Sequence, residues 1–132
     1  VIGPATGGII LSQVTARLLG VRSIFTEREN GKMTLRRGFR IEPGEKVLIV
    51  EDIVTTGGSI REVVDVVNQA HGDIVGIGLF VDRSGGKADY GVDPEKVFPL
   101  VHLTVPTYTA EECPLCKDGV PVTERGSHHL KK

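Results

Sequence analysis

The sequence predicts an α/β fold with a doubly wound, mostly parallel sheet flanked by helices. Residues 47–50 are four consecutive apolar residues, which is typical of a strand buried on both faces of a parallel sheet. Apolar residues at helical spacing follow, from Ile60 to Val67. Strand-like and helix-like segments then alternate along the chain. In such sheets, ligands bind beyond the carboxyl ends of the strands, where the strand order reverses.

The other elements follow in chain order. Val1-Ile2 ends a first strand, and a glycine-rich turn leads into a helix over residues 9–19, with Gly20 as its stop. A second helix over residues 60–70 is closed by His71-Gly72, and Ser59 and Glu62 suit a capping box at its first turn. Strands are predicted for residues 21–26, 46–51, 74–81 and 96–103, with a short return strand over residues 38–41 before the turn at Pro43-Gly44.

The size and the charge of the chain limit the classes of function that it can have. A chain of 132 residues supports one domain, which we divide into a core over residues 1–106 and a polar tail over residues 107–132. The 16 basic and 17 acidic residues argue against general affinity for nucleic acid or membranes. Two cysteines are too few for a disulfide framework, so a cytoplasmic setting is expected. The chain begins as if inside a strand, and we expect it to be N-terminally truncated.

The segment from Glu51 to Ser59 has the composition of a binding site for a phosphorylated sugar. Its glycines allow close approach of the backbone, its hydroxyls are donors, and the following helix offers free N–H groups to an anion. The adjacent acids Glu51 and Asp52 would repel a phosphate, but they accept hydrogen bonds from sugar hydroxyls and attract Mg²⁺. The alternative is an ordinary strand-to-helix turn whose glycines serve packing only.

This segment resembles the phosphoribosyl-pyrophosphate motif of type I phosphoribosyltransferases: an apolar strand, two acids, two further residues and Thr-Thr-Gly-Gly-Ser. The resemblance implies that family's fold, phosphoribosyl transfer and Mg²⁺ bound mainly through the substrate. It also implies that Glu51 and Asp52 bind the ribose hydroxyls and that Asp52 stabilises the cationic ribose of the transition state. The 5′-phosphate would be held by the residues of the next loop, which are Thr55, Thr56, Gly57, Gly58 and Ser59.

The glycine-rich turn over residues 3–8 also joins a strand end to a helix start, and its N–H groups are a second candidate anion site. By itself this signal is weak, because small-residue turns often serve packing. The resemblance implies that this loop binds pyrophosphate through the region of Thr6 and Gly7, where some members of the family have a lysine.

The segment over residues 27–38 is long, basic and polar, which is typical of a functional lid or of a solvated hairpin. We expect a flexible hairpin loop with Gly31 and Gly38 as hinges. The resemblance identifies it with the family's mobile catalytic loop, and it implies that Lys32 is the catalytic lysine and that Arg28 assists in binding phosphoribosyl pyrophosphate. It leaves Arg36 and Arg37 without assigned roles. Since the family's loop reaches into the partner's site, a homodimer is implied.

Asp82-Arg83 follows a predicted strand, where an arginine can bind a planar carboxylate through paired hydrogen bonds. The structural alternative is a surface ion pair of Arg83 with Asp82 or Asp89. The dipeptide resembles that of the orotate enzymes, which implies that Arg83 and Thr55 contact orotate and that the product is orotidine 5′-monophosphate, in de novo pyrimidine biosynthesis. Two rival functions are transfer to another base and a regulator of the same fold that binds nucleic acid.

Cys113 and Cys116 form half of a tetrahedral zinc site, which His128 and His129 could complete. A redox-active pair would require a helix N-terminus, which the polar tail does not suggest. We therefore favour ordinary reduced thiols over metal ligands. His102, which follows an apolar strand, fits a structural histidine better than a catalyst.

Overall fold

A computed structural model describes residues 1–106, 108–109 and 111–121. The strands are β1 (Ile2–Pro4), β2 (Ile24–Glu29), β3 (Lys32–Leu35), β4 (Lys46–Val54), β5 (Asp73–Asp82) and β6 (Val97–His102). The helices are α1 (Gly7–Leu19), α2 (Gly58–Gln69) and the short α3 (Pro114–Lys117), and a 3-10 turn spans Pro94–Lys96. None of the helices in these described ranges has the length and apolarity needed to cross a membrane.

The strands form one sheet in the order β3-β2-β1-β4-β5-β6. All neighbouring strands are parallel except β2 and β3, which form an antiparallel hairpin. From β1 the chain moves through α1 to β2 on one side, whereas from β4 it moves through α2 to β5 on the other. The strand order therefore reverses between β1 and β4. Right-handed crossovers in opposite directions place α1 and α2 on opposite faces of the sheet. The predicted fold class is confirmed.

The main core lies between α2 and the sheet. Its largest fully buried side chains include four from α2 and four from the strands, which are Ile60, Val63, Val64, Val67, Ile2, Ile49, Ile77 and Leu79. On the other face, α1 buries only small residues, at Gly8, Ser12 and Ala16. Its larger apolar residues Ile10, Val14 and Leu18 are exposed.

Two predictions about the hairpin are wrong. Residues 38–41 do not form the return strand, because Arg37 and Gly38 have positive φ angles and the N–H of Phe39 donates to the carbonyl of Arg36 in a tight turn. The return strand is β3 instead, joined to β2 by Asn30 and Gly31, both with positive φ. Such two-residue turns match the twist of the flanking strands. The long loop expected over residues 27–38 is therefore mostly paired strand.

The predicted capping box of Ser59 and Glu62 is also wrong. Helix α2 begins at Gly58, its N-cap is Gly57, and no side chain caps it. Ser59 lies inside the first turn of the helix. The carboxylate of Glu62 binds Arg28 of the hairpin. Strand β4 also continues past Glu51 to Val54, so the two acids lie within it.

Candidate functional site

Two loops meet where the strand order reverses. Ala5 and Thr6 join β1 to α1, and the segment Thr55–Ser59, called the β4–α2 loop below, joins β4 to the start of α2. Strands β1 and β4 are adjacent and parallel, so both loops leave the same edge of the sheet. In open α/β sheets this crevice is where ligands bind. The structure therefore brings together the two loops that were predicted separately as anion sites.

The β4–α2 loop is open to solvent and lacks side-chain caps. Thr55, Thr56, Gly58 and Ser59 are exposed, whereas Gly57 is buried with a φ of 84°. A small cavity of about 50 Å³ lies in the loop. The N–H of Gly58 faces Oγ1 of Thr56 at 3.5 Å, and the N–H of Arg61 donates to the carbonyl of Gly57. Ser59 and Ile60 therefore supply the first-turn N–H groups for a ligand, since no described side chain caps them. Free N–H groups at a helix N-terminus are suited to bind a phosphate.

The two acids of β4 differ in their environment. Glu51 is buried, while Asp52 is exposed. Burial, together with a hydrogen bond to Asp52 and the charge of that residue, raises the pKa of Glu51 to about 8. Glu51 is therefore largely protonated at neutral pH and can donate as well as accept hydrogen bonds. Asp52 accepts a hydrogen bond from the N–H of Ile53 at 2.8 Å.

Asp52 also lies against the first loop. A Cβ atom on Gly7 would overlap the Asp52 carboxylate, so the glycine leaves room for that carboxylate in its observed position. Gly3 is similarly constrained, since a Cβ there would lie 2.5 Å from the carbonyl oxygen of Gly8. Thr6 and Gly7 are exposed at the start of α1, where no side chain caps the helix. The carboxylate of Asp52 therefore lies against the first loop, on the strand that leads into the β4–α2 loop.

Each of the three arginines of the hairpin segment forms an ion pair. Arg28 pairs with Glu62 of α2, whereas Arg36 and Arg37 pair with the β2 acids Glu27 and Glu29. Among the described residues, Lys32 has no ion pair, and its side chain is exposed. Of the hairpin's basic residues, Lys32 is therefore the one available to an anionic ligand in this conformation.

The side chains of Arg28 and Lys32 lie on opposite faces of the sheet. In the register of the hairpin, Arg28 is opposite Met33, and Glu29 is opposite Lys32. Neighbouring pairs of an antiparallel ladder point to opposite faces of the sheet. Met33 is buried in the core, so Arg28 lies on the α2 side and Lys32 on the other. In the observed conformation, these two residues therefore do not approach one ligand from the same side.

Arg83 is half-buried directly after β5. Its N–H donates to the carbonyl of Val54 at 2.8 Å, which ties it to the end of β4. Its Nε atom is buried without a hydrogen-bond partner among the described residues. The surface pairs proposed as an alternative do not form: Asp82 is 3.5 Å from His102, and Asp89 pairs with Arg61. Arg83 thus keeps donors for a planar anion next to the β4–α2 loop.

The cysteines lie far along the chain from these loops. Cys113 is the N-cap of α3, so the expectation that no helix begins here is wrong, although the helix has only four residues. Hydrogen bonds from the backbone of Cys116 lower the pKa of the Cys113 thiol. No group of three or more potential metal ligands exists among the described residues, and His128 and His129 lie outside them.

Contacts between α2 and the segment that connects β5 to β6, residues 83–96, were not predicted from the sequence. Tyr90 is buried in the core, and Arg61 pairs with Asp89 at 3.1 Å. A cavity of about 400 Å³ lies beside them, with Asp82, Ser84, Tyr90 and His102 as polar lining. The segment has neither helical nor strand periodicity, so its sequence gave no signal of this packing.

Comparison with protein families gives a match to the phosphoribosyl transferase domain over residues 1–99. The orotate phosphoribosyltransferase of Desulforamulus reducens is 56% identical over 130 residues, which cover 98% of this chain and 66% of that protein. The orotate phosphoribosyltransferase of Thermotoga maritima is 54% identical over 131 residues, covering 99% of this chain and 68% of that protein. The chain spans about two thirds of the length of these curated relatives.

Among solved structures, the adenine phosphoribosyltransferase of Rhodothermus marinus matches with a TM-score of 0.65 and 23% identity. The match covers 77% of this chain and 68% of that one. At this identity the likeness shows the fold alone. By contrast, the relatives with 56% and 54% sequence identity are both named orotate phosphoribosyltransferase.

Proposed function

The chain belongs to the orotate phosphoribosyltransferase family, and on this premise we propose that it transfers the phosphoribosyl group of phosphoribosyl pyrophosphate to orotate. The products are orotidine 5′-monophosphate and pyrophosphate, in de novo pyrimidine biosynthesis. The observation that carries the proposal is the crevice between β1 and β4, where an acid pair is flanked by two uncapped helix N-termini. That arrangement suits a sugar with a phosphate group at each end.

We assign the β4–α2 loop to the 5′-phosphate, since its exposed hydroxyls and free N–H groups are suitable donors. Glu51 and Asp52 bind the ribose hydroxyls. Because Glu51 is largely neutral, it hydrogen-bonds a hydroxyl without strong repulsion from Asp52. The charged Asp52 stabilises the positive charge that develops on the ribose as the bond to pyrophosphate breaks.

The pyrophosphate binds the first loop at Thr6 and Gly7, near the N-terminus of α1. The reaction leaves negative charge on this group, and Lys32 supplies a positive charge that is most effective in the transition state. Arg28 contributes a further positive charge to the pyrophosphate after its ion pair with Glu62 breaks. No step requires a covalent nucleophile.

Mg²⁺ fits this site, because the exposed carboxylate of Asp52 beside Gly7 is a hard oxygen donor of the kind the ion prefers. Asp52 and oxygens of the substrate would hold the ion. When bound, Mg²⁺ neutralises part of the pyrophosphate charge. We assign no metal to Cys113 and Cys116.

Arg83 and Thr55 bind the orotate ring. The unpartnered Nε of Arg83 supports this role, because a buried donor without a partner is costly until a ligand accepts its hydrogen bond. A planar carboxylate or carbonyl matches the guanidinium fork.

We further propose a homodimer in which the hairpin serves the partner's site. Strand β3 is three strands away from β4, which places it about 14 Å across the sheet from the acids of its own chain. The exposed apolar stripe on α1, at Ile10, Val14 and Leu18, supports a subunit contact. The free thiols Cys113 and Cys116 support a cytoplasmic location.

The test is a spectrophotometric assay of the full-length protein with phosphoribosyl pyrophosphate and Mg²⁺. Orotate, uracil, adenine and hypoxanthine are compared as acceptors. We expect turnover with orotate alone. Turnover with a purine instead would assign the chain to another base, and tight, salt-sensitive RNA or DNA binding without any turnover would support a regulator.

A further inference from the structure

The segment over residues 83–96 folds back against the β4–α2 loop. A Cβ atom placed on Gly57 would lie 3.1 Å from the Cβ of Ala88 and 3.1 Å from Cε1 of Tyr90. Gly57 is the N-cap of α2 and has a φ of 84°. The ring of Tyr90 therefore supports the loop from behind, at the residue whose conformation aims the first N–H groups of the helix.

The ring itself is fixed by the core. Tyr90 is 8% exposed and belongs to the same hydrophobic cluster as Ile60 and Val64 of α2. Its Oη atom is buried without a hydrogen-bond partner of good geometry among the described residues. Tyr90 therefore joins this cluster through the packing of its ring.

Polar contacts hold the neighbouring residues in place. Arg61, in the first turn of α2, pairs with Asp89 at 3.1 Å, and Asp89 accepts a hydrogen bond from the N–H of Gly91 at 2.8 Å. The N–H of Arg61 donates to the carbonyl of Gly57. Tyr90 therefore lies between Asp89, which is tied to the beginning of α2, and Gly91, which is tied to Asp89.

Tyr90 also lines the cavity of about 400 Å³. Ala88, which contacts Gly57 beside the ring, lines the same cavity. A small side chain at position 90 would remove the ring from Gly57, and the loop would lose part of the surface that defines its position. Arg83, at the start of the same segment, is held separately, because its own N–H donates to the carbonyl of Val54.

We propose that Tyr90 is a positioning residue that sets the geometry of the β4–α2 loop. The inference rests on the proposed function, in which that loop binds the 5′-phosphate and Arg83 binds orotate. A loop displaced by a fraction of an ångström keeps its residues but binds the phosphate in poor geometry. Loss of Tyr90 should therefore weaken substrate binding more than the chemical step.

The test uses Tyr90→Ala in the full-length enzyme, with Tyr90→Leu as a second variant should the first fail to fold. We expect the KM for phosphoribosyl pyrophosphate to rise about tenfold and kcat to change less than about threefold. The affinity for ribose 5-phosphate, measured by calorimetry, should fall about tenfold. Tyr90→Phe keeps the ring, so its KM for phosphoribosyl pyrophosphate and its affinity for ribose 5-phosphate should equal those of wild type.

Ile74→Ala is the matched control, because Ile74 is 7% exposed in the same core but lies near the start of β5, at the opposite edge of the sheet. It should lower the Tm without changing ribose 5-phosphate binding. Equal weakening by Ile74→Ala, or a Tyr90→Ala enzyme with a lower Tm and an unchanged KM, would overturn the positioning role. A wild-type enzyme that neither binds ribose 5-phosphate nor uses orotate would instead refute the proposed function, and this inference with it.

Discussion

Arg28 of the hairpin and Glu62 of α2 form a two-pronged ion pair. One guanidinium nitrogen donates to Oε1 of Glu62 at 2.8 Å, and the other lies 2.8 Å from Oε2. The pair joins the strand before Lys32 to the helix that starts at the β4–α2 loop. In this conformation the charge of Arg28 is neutralised, so Arg28 must leave Glu62 before it can bind pyrophosphate.

Glu62→Gln should lower the KM for phosphoribosyl pyrophosphate by about two- to fivefold, because half-exposed ion pairs contribute up to about 1 kcal/mol and this pair competes with the substrate. The effect should shrink at high salt. Steady-state kinetics at two salt concentrations measure it. The control is Glu42→Gln, which removes another surface ion pair, with Arg40. A higher KM in Glu62→Gln would mean that the ion pair supports the active conformation.

Lys32→Ala should reduce kcat by about a hundredfold or more, because removal of one charge donor aimed at a developing anion typically has an effect of that size. The affinity for phosphoribosyl pyrophosphate should change only modestly, since the charge acts mainly in the transition state. Single-turnover kinetics and calorimetry separate the two effects. Lys46→Ala provides the control, because Lys46 is exposed at the other end of β4. Equal turnover in Lys32→Ala and wild type would exclude the catalytic role.

The sequence predicted the strand-to-helix turn between β4 and α2 because its signals agree: the apolar strand, the acids and the glycines all indicate one such turn. The end of β4 and the cap of α2 were nevertheless predicted wrongly. The hairpin was not predicted with its observed strands, because the residues around Asn30-Gly31 are charged and lack the apolar alternation of a strand. Asn-Gly itself is nevertheless a strong hairpin signal. The partners of Arg28 and Gly57 were not predictable. Glu62 and Tyr90 lie 34 and 33 positions away, and no local pattern encodes such contacts.

Val14→Glu tests the proposed subunit contact. Val14 lies between Ile10 and Leu18 on the exposed apolar stripe of α1, and a carboxylate buried there without a partner would be costly. We expect analytical ultracentrifugation to show a monomer, with the loss of most activity if the hairpin serves the partner's site. Gln13→Glu adds the same charge at an exposed polar position of α1 and should leave the dimer intact. A dimeric Val14→Glu protein would place the interface elsewhere.

Glu51 should make the folded protein less stable as pH rises. Burial raises its pKa from 4.5 to about 8, so between these values the folded state holds a proton that the unfolded state has lost. The stabilising contribution is fully present below the unfolded value and is lost as pH rises through the folded value. The slope of the free energy of unfolding against pH that Glu51 contributes is at most about 1.4 kcal/mol per pH unit.

The variant Glu51→Gln tests this prediction, because it keeps a neutral side chain at all pH values. Urea unfolding at pH 6, 7 and 8 should show the free energy of unfolding of Glu51→Gln rising relative to that of wild type. The exposed Glu42→Gln variant should show no such trend. A constant difference between wild type and Glu51→Gln across this range would mean that Glu51 is charged in the folded protein at neutral pH.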